Sequence, residues 1–388
     1  MKNKLLTILL VIGCMPSFSQ QIGEVSPFEF SGYVKDVQTV FVPHQADGNW
    51  LSDNSFHNRL RLKYYPMDWL TAEVQARNRL VYGDFVKILP DYSKNAFSKG
   101  YFVKLHKAWL ADSSVVGLSE IDRFFVQFTK ANWEVTIGRQ RINWGLNLVW
   151  NPNDVFNTYS YFDFEYEERP GTDAISVKYY TSYTSSAQLV YKAGSTFSEM
   201  ALAGLYRFNK WNFDFQVLGG LVKSDYVGGV GFSGNIYGAA LRGETTVFHP
   251  KADFRDTAST VVTSISADYT FESTLYMQCG MLHNSAGKKQ NAGALSVFSN
   301  EELSPKNLSR GRFNIFYQIS YNISPLVTTG VSAILNPDDM SAFISPTVNV
   351  FVSNNMSVSL MGQFFYGSKQ TEFGNIGKMG VLRFKYSF

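Results

Sequence analysis

Cysteine is nearly absent. The chain of 388 residues has two, Cys14 and Cys279, too few for a disulfide framework or a cysteine-based zinc site. Long apolar runs are also missing. Beyond residue 20 none approaches the ~20 residues that a membrane-spanning helix requires. Charge is scarce, at 17% of residues against a usual ~25%. The formal balance of +3 gives no electrostatic case for nucleic acid. The five histidines, His44, His57, His106, His249 and His283, form no H-x-x-x-H or H-E-x-x-H pair, and no G-x-S-x-G occurs. The sequence therefore predicts no catalytic residue, no metal site and no cofactor. A Ser–His or Asp–His site assembled from distant segments is the enzymatic reading it leaves open.

What is present starts with an export signal. Lys2 and Lys4 precede an apolar stretch from Leu5 to Gly13, and Ser17-Phe18-Ser19 supplies a small-x-small end. This pattern predicts a signal peptide over residues 1–19. Its removal lowers the formal charge by two, to +1. A competing reading takes Val11-Ile12-Gly13-Cys14 as a lipoprotein box that leaves lipid on Cys14.

Aromatic residues make up 16% of the chain, with 32 Phe, 22 Tyr and 7 Trp. Many fall in segments of strict alternation. In 69–81 (WLTAEVQARNRLV) Leu70, Ala72, Val74, Ala76 and Leu80 share one face, with Asn78 alone out of place. Thr71, Glu73, Gln75, Arg77 and Arg79 share the other. A strand sends successive side chains to opposite faces, whereas a helix would spread these charges around its circumference. The pattern recurs at 59–64, 211–217 and 313–323.

A soluble sandwich also alternates, but three features select a membrane barrel. Aromatic residues collect at segment ends, as girdles would (Tyr64-Tyr65, Trp69, Trp133, Trp211, Phe364-Phe365-Tyr366). Short turns at Pro66-Met67-Asp68, Asn209-Lys210 and Asn354-Asn355 alternate with long polar loops at 84–100, 249–259 and 286–311. The chain ends GVLRFKYSF, with Leu382, Phe384, Tyr386 and Phe388 on one face. This ending resembles the signal read by the outer-membrane barrel assembly machinery. The fold expected is all-β: a transmembrane antiparallel β-barrel over residues 20–388, of about eighteen strands with sixteen as the alternative. It lies in the outer membrane of a Gram-negative bacterium, in contact with lipid. A barrel of this size does not fill its interior with strand side chains and encloses water.

Residues 138–171 break the alternation. Continuing the parity of Trp133, Val135 and Ile137 would put Arg139 and Arg141 into lipid, at ~2–4 kcal/mol each near the midplane. A bulge at Gly138 would turn Arg139 to the lumen. From Ile142 to Tyr166 turn chemistry and aromatic residues replace the strand pattern. Alternation then returns, with Asp163, Glu165 and Glu167 opposite Phe162, Phe164 and Tyr166. Irregular backbone at membrane depth must be covered by protein or line a cavity. The segment is therefore expected to fold inward as a constriction, with Arg139, Arg141, Asp163, Glu165, Glu167, Arg169, Arg77 and Arg79 lining the pore. Trp144, Trp150 and Tyr161 are the candidates for sugar stacking. Two alternatives stand beside this: an ordinary external loop, and a calcium site at Asp163, Glu165 and Glu167.

Gly138-Arg139-Gln140-Arg141, Asn143-Trp144-Gly145, Asn151-Pro152-Asn153-Asp154 and Arg169-Pro170-Gly171 together resemble an uncharacterised family of porin-like outer-membrane barrels. They are distantly similar to alginate-export-type barrels. The resemblance covers about 35 residues and implies a channel without naming a solute. The expected function is passive or weakly selective diffusion of small hydrophilic solutes, sugars or charged oligosaccharides among them. The alternative is a non-conducting barrel that anchors surface loops or a partner. Homo-oligomers are common among such channels, but the sequence marks no interface.

Overall fold

The computed structural model describes residues 26–388 apart from 45–49, 90, 99, 159–160, 162–167, 197–198, 253, 291 and 294–303. The expected signal peptide, Cys14, Asp163, Glu165 and Glu167 lie outside the described residues.

The alternating segments form one closed antiparallel sheet. Its first strands are β1 (Phe28–Pro43), β2 (Leu51–Met67), β3 (Leu70–Gly83), β4 (His106–Ala111), β5 (Val115–Lys130) and β6 (Trp133–Gln140). There follow β7 (Thr172–Ser182), β8 (Ser185–Lys192), β9 (Ala201–Lys210), β10 (Phe213–Val222), β11 (Asp225–Ile236) and β12 (Ala239–Pro250). The circuit continues with β13 (Thr260–Thr270), β14 (Tyr276–Asn284), β15 (Phe313–Ser324) and β16 (Val327–Asn336). It ends with β17 (Ser341–Phe351), β18 (Met356–Tyr366) and β19 (Gly377–Ser387).

The wall has eighteen columns, because β4 and β6 share one. β5 pairs with β3 on one edge, and on the other with β6 through Phe124–Lys130 and with β4 through Val116–Glu120. Closure is between β1 and β19, in register from Tyr33 opposite Ser387 to Pro43 opposite Gly377. The terminal Phe388 completes the seam by exchanging backbone hydrogen bonds with Gly32 at 2.8 and 2.9 Å.

The two faces follow the sequence period. On β2, Arg59 and Arg61 point inward while Leu60, Leu62 and Tyr64 point outward. The β9–β10 turn sits at Trp211 and Asn212, two residues later than the composition suggests. Both residues have positive φ (56° and 61°), and such a turn matches the twist of the flanking strands. One end of the barrel carries such short turns, the start of β1 and Phe388, the periplasmic arrangement of outer-membrane barrels. The other end carries the long connections, and two of these fold into the barrel.

Candidate channel constriction

The first inward segment connects β3 to β4. It contains two short helices, α1 (Asp84–Ile88) and α2 (Tyr92–Asn95). Phe85 packs on the inward Phe41, with ring centroids 6.0 Å apart. Val86, Tyr92 and Phe97 cover Val81, Val116 and Leu118, and Arg79 donates to the Ala96 carbonyl. This inward fold was not legible beforehand; the polar composition of 84–100 reads as an external loop.

The second lies between Arg141 and Gly171, and its described residues fold inward as expected. Its first half is tied to the wall by side chains remote in sequence. Glu244 of β12 accepts hydrogen bonds from the amides of Leu146, Asn147 (2.8 Å) and Asn153 (3.0 Å). Asn153 also donates to the Val230 carbonyl (3.1 Å) and accepts from Thr246 (2.6 Å). Asn147 accepts from Ser266 at 2.6 Å. The Trp144 indole donates to Gln188 (3.0 Å), and Gln216 donates to the Trp144 carbonyl (2.7 Å). The links to the Leu146, Asn147 and Asn153 amides and to the Trp144 carbonyl satisfy backbone of the segment, the condition for irregular chain at this depth.

The apolar side chains of the segment complete the inner wall. Ile142, Trp144, Val149, Trp150, Val155 and Phe156 pack with inward Val190, Leu205, Leu218, Phe248, Val262, Leu282 and Phe316. Trp144 is 0% exposed and Trp150 6%. Their rings meet Phe156 and Phe316 edge-on at 4.9 and 6.3 Å. These two indoles therefore offer no face to a passing sugar, which corrects the stacking expectation: the aromatic density serves a core. Tyr161 is partly buried, edge-on to Phe316 at 5.2 Å, with its hydroxyl on Ser332 at 2.8 Å.

Glu168 and Arg169 begin the described part of the return limb. Glu168 accepts from the Tyr33 hydroxyl of β1 at 2.9 Å and lies 3.4 Å from Arg59 of β2. Tyr161 thus touches β16, while Glu168 touches β1 and β2, four and five columns further round the wall. Arg169 approaches Asp154 at 3.9 Å. Arg141 is exposed and donates to Asn143 at 3.2 Å.

The wall that Glu168 reaches is ionic. Arg59 donates to both oxygens of Asp122 (2.9 and 2.8 Å) and to Gln75 (3.0 Å), and Asp122 is 0% exposed. Arg61 pairs with Glu73 at 3.2 Å while keeping 37% of its side chain exposed. Arg77, Arg79, Arg123, Lys35, Arg383 and Lys385 share these inward faces, so cations outnumber carboxylates there.

Arg139 departs from expectation. The pairing of β6 with β5 and β7 runs through Gly138 without a shift, so no bulge reverses the parity. Gly138 instead takes φ +122°, where a Cβ would lie 2.2 Å from the Phe124 carbonyl oxygen. Arg139 is 2% exposed and closes the seam where β6 leaves the wall and β4 begins. It donates to the carbonyls of Ile121 (2.7 Å) and Val103 and to Asp173 (2.7 Å), beneath the Tyr101 ring at 3.5 Å. Its guanidinium thus replaces the missing ladder bonds of the wall. Burial raises the Tyr101 phenol well above its ordinary value.

Between the two inward segments, on the side of the long connections, lies a cavity of about 350 Å³. Phe97, Phe156, Asn157, Lys192, Lys223 and Lys306 are among its lining residues. Lys306 pairs with Asp225 at 2.9 Å.

No family model and no curated protein matches the chain. Solved structures do. Acinetobacter baumannii OccAB4 aligns over 94% of this chain and 98% of its own, with TM-score 0.60 and 8% identity. Pseudomonas aeruginosa OccK5 (OpdH) covers the same shares at TM-score 0.61 and 9% identity. The P. aeruginosa outer membrane protein OpdK covers 93% and 99% at 0.58 and 9%. The expected likeness to alginate-export-type barrels is not supported. The chain is a closed eighteen-column barrel of the outer membrane, with the architecture of the Occ and Opd proteins.

Proposed function

We propose that the chain is a diffusion channel for small hydrophilic solutes with a preference for anions. The observation that carries this is the asymmetry of the lumen: the ionic wall with its excess of cations faces an arc covered by the inward segment, where charges such as Arg242 and Asp268 are paired. Charged side chains at a narrow point select ions by sign, and Arg61 and Arg141 reach it with part of their surface exposed. Lys192 and Lys223 of the outer cavity extend the positive field toward the entrance. One of the similar solved structures, OpdK, holds vanillate, a small carboxylate, which agrees with this preference. Sugars are not favoured by any exposed aromatic face at the described constriction. Recognition of Phe388 by the barrel assembly machinery remains part of the proposal, supported by the seam it closes.

The test is single-channel recording of the purified protein in a planar bilayer under a salt gradient. Ohmic openings with a reversal potential of anionic sign are expected, and Arg61→Gln with Arg141→Gln should move that potential toward zero. Cation selectivity would overturn the anion preference. Absence of current from folded, inserted protein would overturn the channel and leave an anchoring barrel.

A further inference from the structure

Asn78, the residue out of place in its strand, is not isolated. It faces outward between Ala76 and Leu80, and its neighbours on the same rung are polar as well. Asn58 of β2 pairs with Asn78, Asn78 with Ser119 of β5, and Ser119 with Lys107 of β4. The Asn78 amide donates to Asn58 at 3.2 Å, and Ser119 donates to Asn78 at 2.6 Å. On β1 the outward face carries Asp36 and Gln38, joined at 3.0 Å, and Gln38 is opposite Asn54. Apolar residues bracket this strip on the same face. Phe30, Val34, Leu60, Leu62 and Val74 lie toward the periplasmic end, and Val40, Val42, Leu80 and Tyr82 toward the other. The strip therefore runs inside the apolar band and not at its rim.

The rest of the circumference shows how unusual this is. From β8 to β18 the outward faces hold no Asp, Glu, Asn or Gln, as the registers and exposures of those strands show. Polar groups facing hydrocarbon without partners are costly, and a lysine near the midplane is among the worst. Among the described residues Lys107 has no hydrogen-bond or ion-pair partner, and the Asp36 carboxylate has only Gln38.

We infer that the outward face of β1 to β5 is covered in the membrane by a second copy of this chain. Only a membrane protein reaches this depth, and the strip is complementary to itself. Its carboxylate lies at the β1 edge and its ammonium at the β4 edge. Rotation about an axis along the membrane normal sets the β1 edge of one copy against the β4 edge of the next, so Asp36 meets Lys107. Asn58 and Asn78 between them can exchange amide hydrogen bonds. The interface does not depend on whether the barrel conducts.

The experiment uses the full chain, exported and folded in the outer membrane, with Cys279→Ser as background. Asp36→Cys together with Lys107→Cys should yield disulfide-linked copies, and either change alone should not. In mild detergent, light scattering should give a multiple of the single-chain mass for the wild type. Asp36→Lys should weaken self-association by about tenfold or more, and Asp36→Lys with Lys107→Asp should restore it. Heat-dependent gel migration confirms that each variant is a folded barrel. A folded wild type of single-chain mass without the cross-link would overturn the inference. So would capture of a different protein at Asp36→Cys, or failure of the charge exchange to restore association.

Discussion

Two arcs of one wall solve the same problem in different ways. From β7 to β18 the inward positions include Val190, Leu205, Leu218, Val262, Leu282 and Phe316. These would be wet in an empty lumen, but the segment from Arg141 covers them and turns half of the interior into an ordinary core. From β1 to β6 inward apolar positions such as Phe41, Val81 and Leu118 lie under the first inward segment, and the others are largely ionic, held by pairs such as Arg59–Asp122. The inner face of a strand thus has no fixed chemistry; its residues match whatever stands opposite, protein on one arc and water with counter-charges on the other.

The comparison is broken most severely at Glu244. Glu244→Ala leaves the amides of Leu146, Asn147 and Asn153 without their acceptor, at about 1–3 kcal/mol for each buried group. The segment should detach from its arc. Single-channel conductance should rise and become noisy, and Glu244→Gln should fall between the two. Unchanged conductance would mean that the staple does not set the constriction. Next comes Trp144→Ala, which removes the largest buried ring of that core and should cost about 3–5 kcal/mol by denaturant unfolding.

On the ionic arc the two arginines of β2 should separate. Arg59→Ala strands the buried Asp122 carboxylate, a loss of about 3–5 kcal/mol. Arg61→Gln removes a half-exposed pair worth at most about 1 kcal/mol and should change selectivity with little effect on stability. Equal destabilisation by both would show that the exposed pair is more rigid than its geometry indicates.

How much of this could be read beforehand follows from the range of the interactions. The lipid face has one solvent and a period of two, so Leu60, Leu62, Val74 and Ile137 announce it locally. The barrel and its approximate strand number were legible for that reason, and the lapse of that period within 138–171 announced a segment folding inward. The partners of the segment were not. Glu244 lies 98 residues from Leu146, and nothing near it in sequence distinguishes a staple from a lumen carboxylate. Arg139 shows a different limit. Parity reasoning allows two faces, while its guanidinium lies in the seam of the wall itself, an arrangement that exists only because β4 takes over the column of β6. For Trp144 and Trp150 the sequence does not separate a stacking face from a core, because aromatic density marks binding surfaces and cores alike. Asn78 is an exception visible in the sequence, and the register that places Asn58, Ser119 and Lys107 on its rung gives it a context.

The pH dependence of stability also separates the arcs. Asp154 is fully buried in the inward segment, accepting weakly from the Trp144 amide (3.4 Å), with Arg169 at 3.9 Å. Burial pushes its carboxyl up to about 7, against the opposing pull of that amide and of Arg169. The unfolded chain has an ordinary value of about 3.9. A folded value above the unfolded one means that the folded protein binds the extra proton between them. The contribution to stability is complete below pH ~4 and is lost as pH rises through about 7. Unfolding midpoints of the wild type should therefore fall between pH 5 and pH 8 relative to those of Asp154→Asn, whose amide needs no proton. Parallel profiles for the two proteins would instead show that Asp154 is ionised throughout. Arg169 would then be a true ion-pair partner, and charge pairing would hold both arcs of the wall.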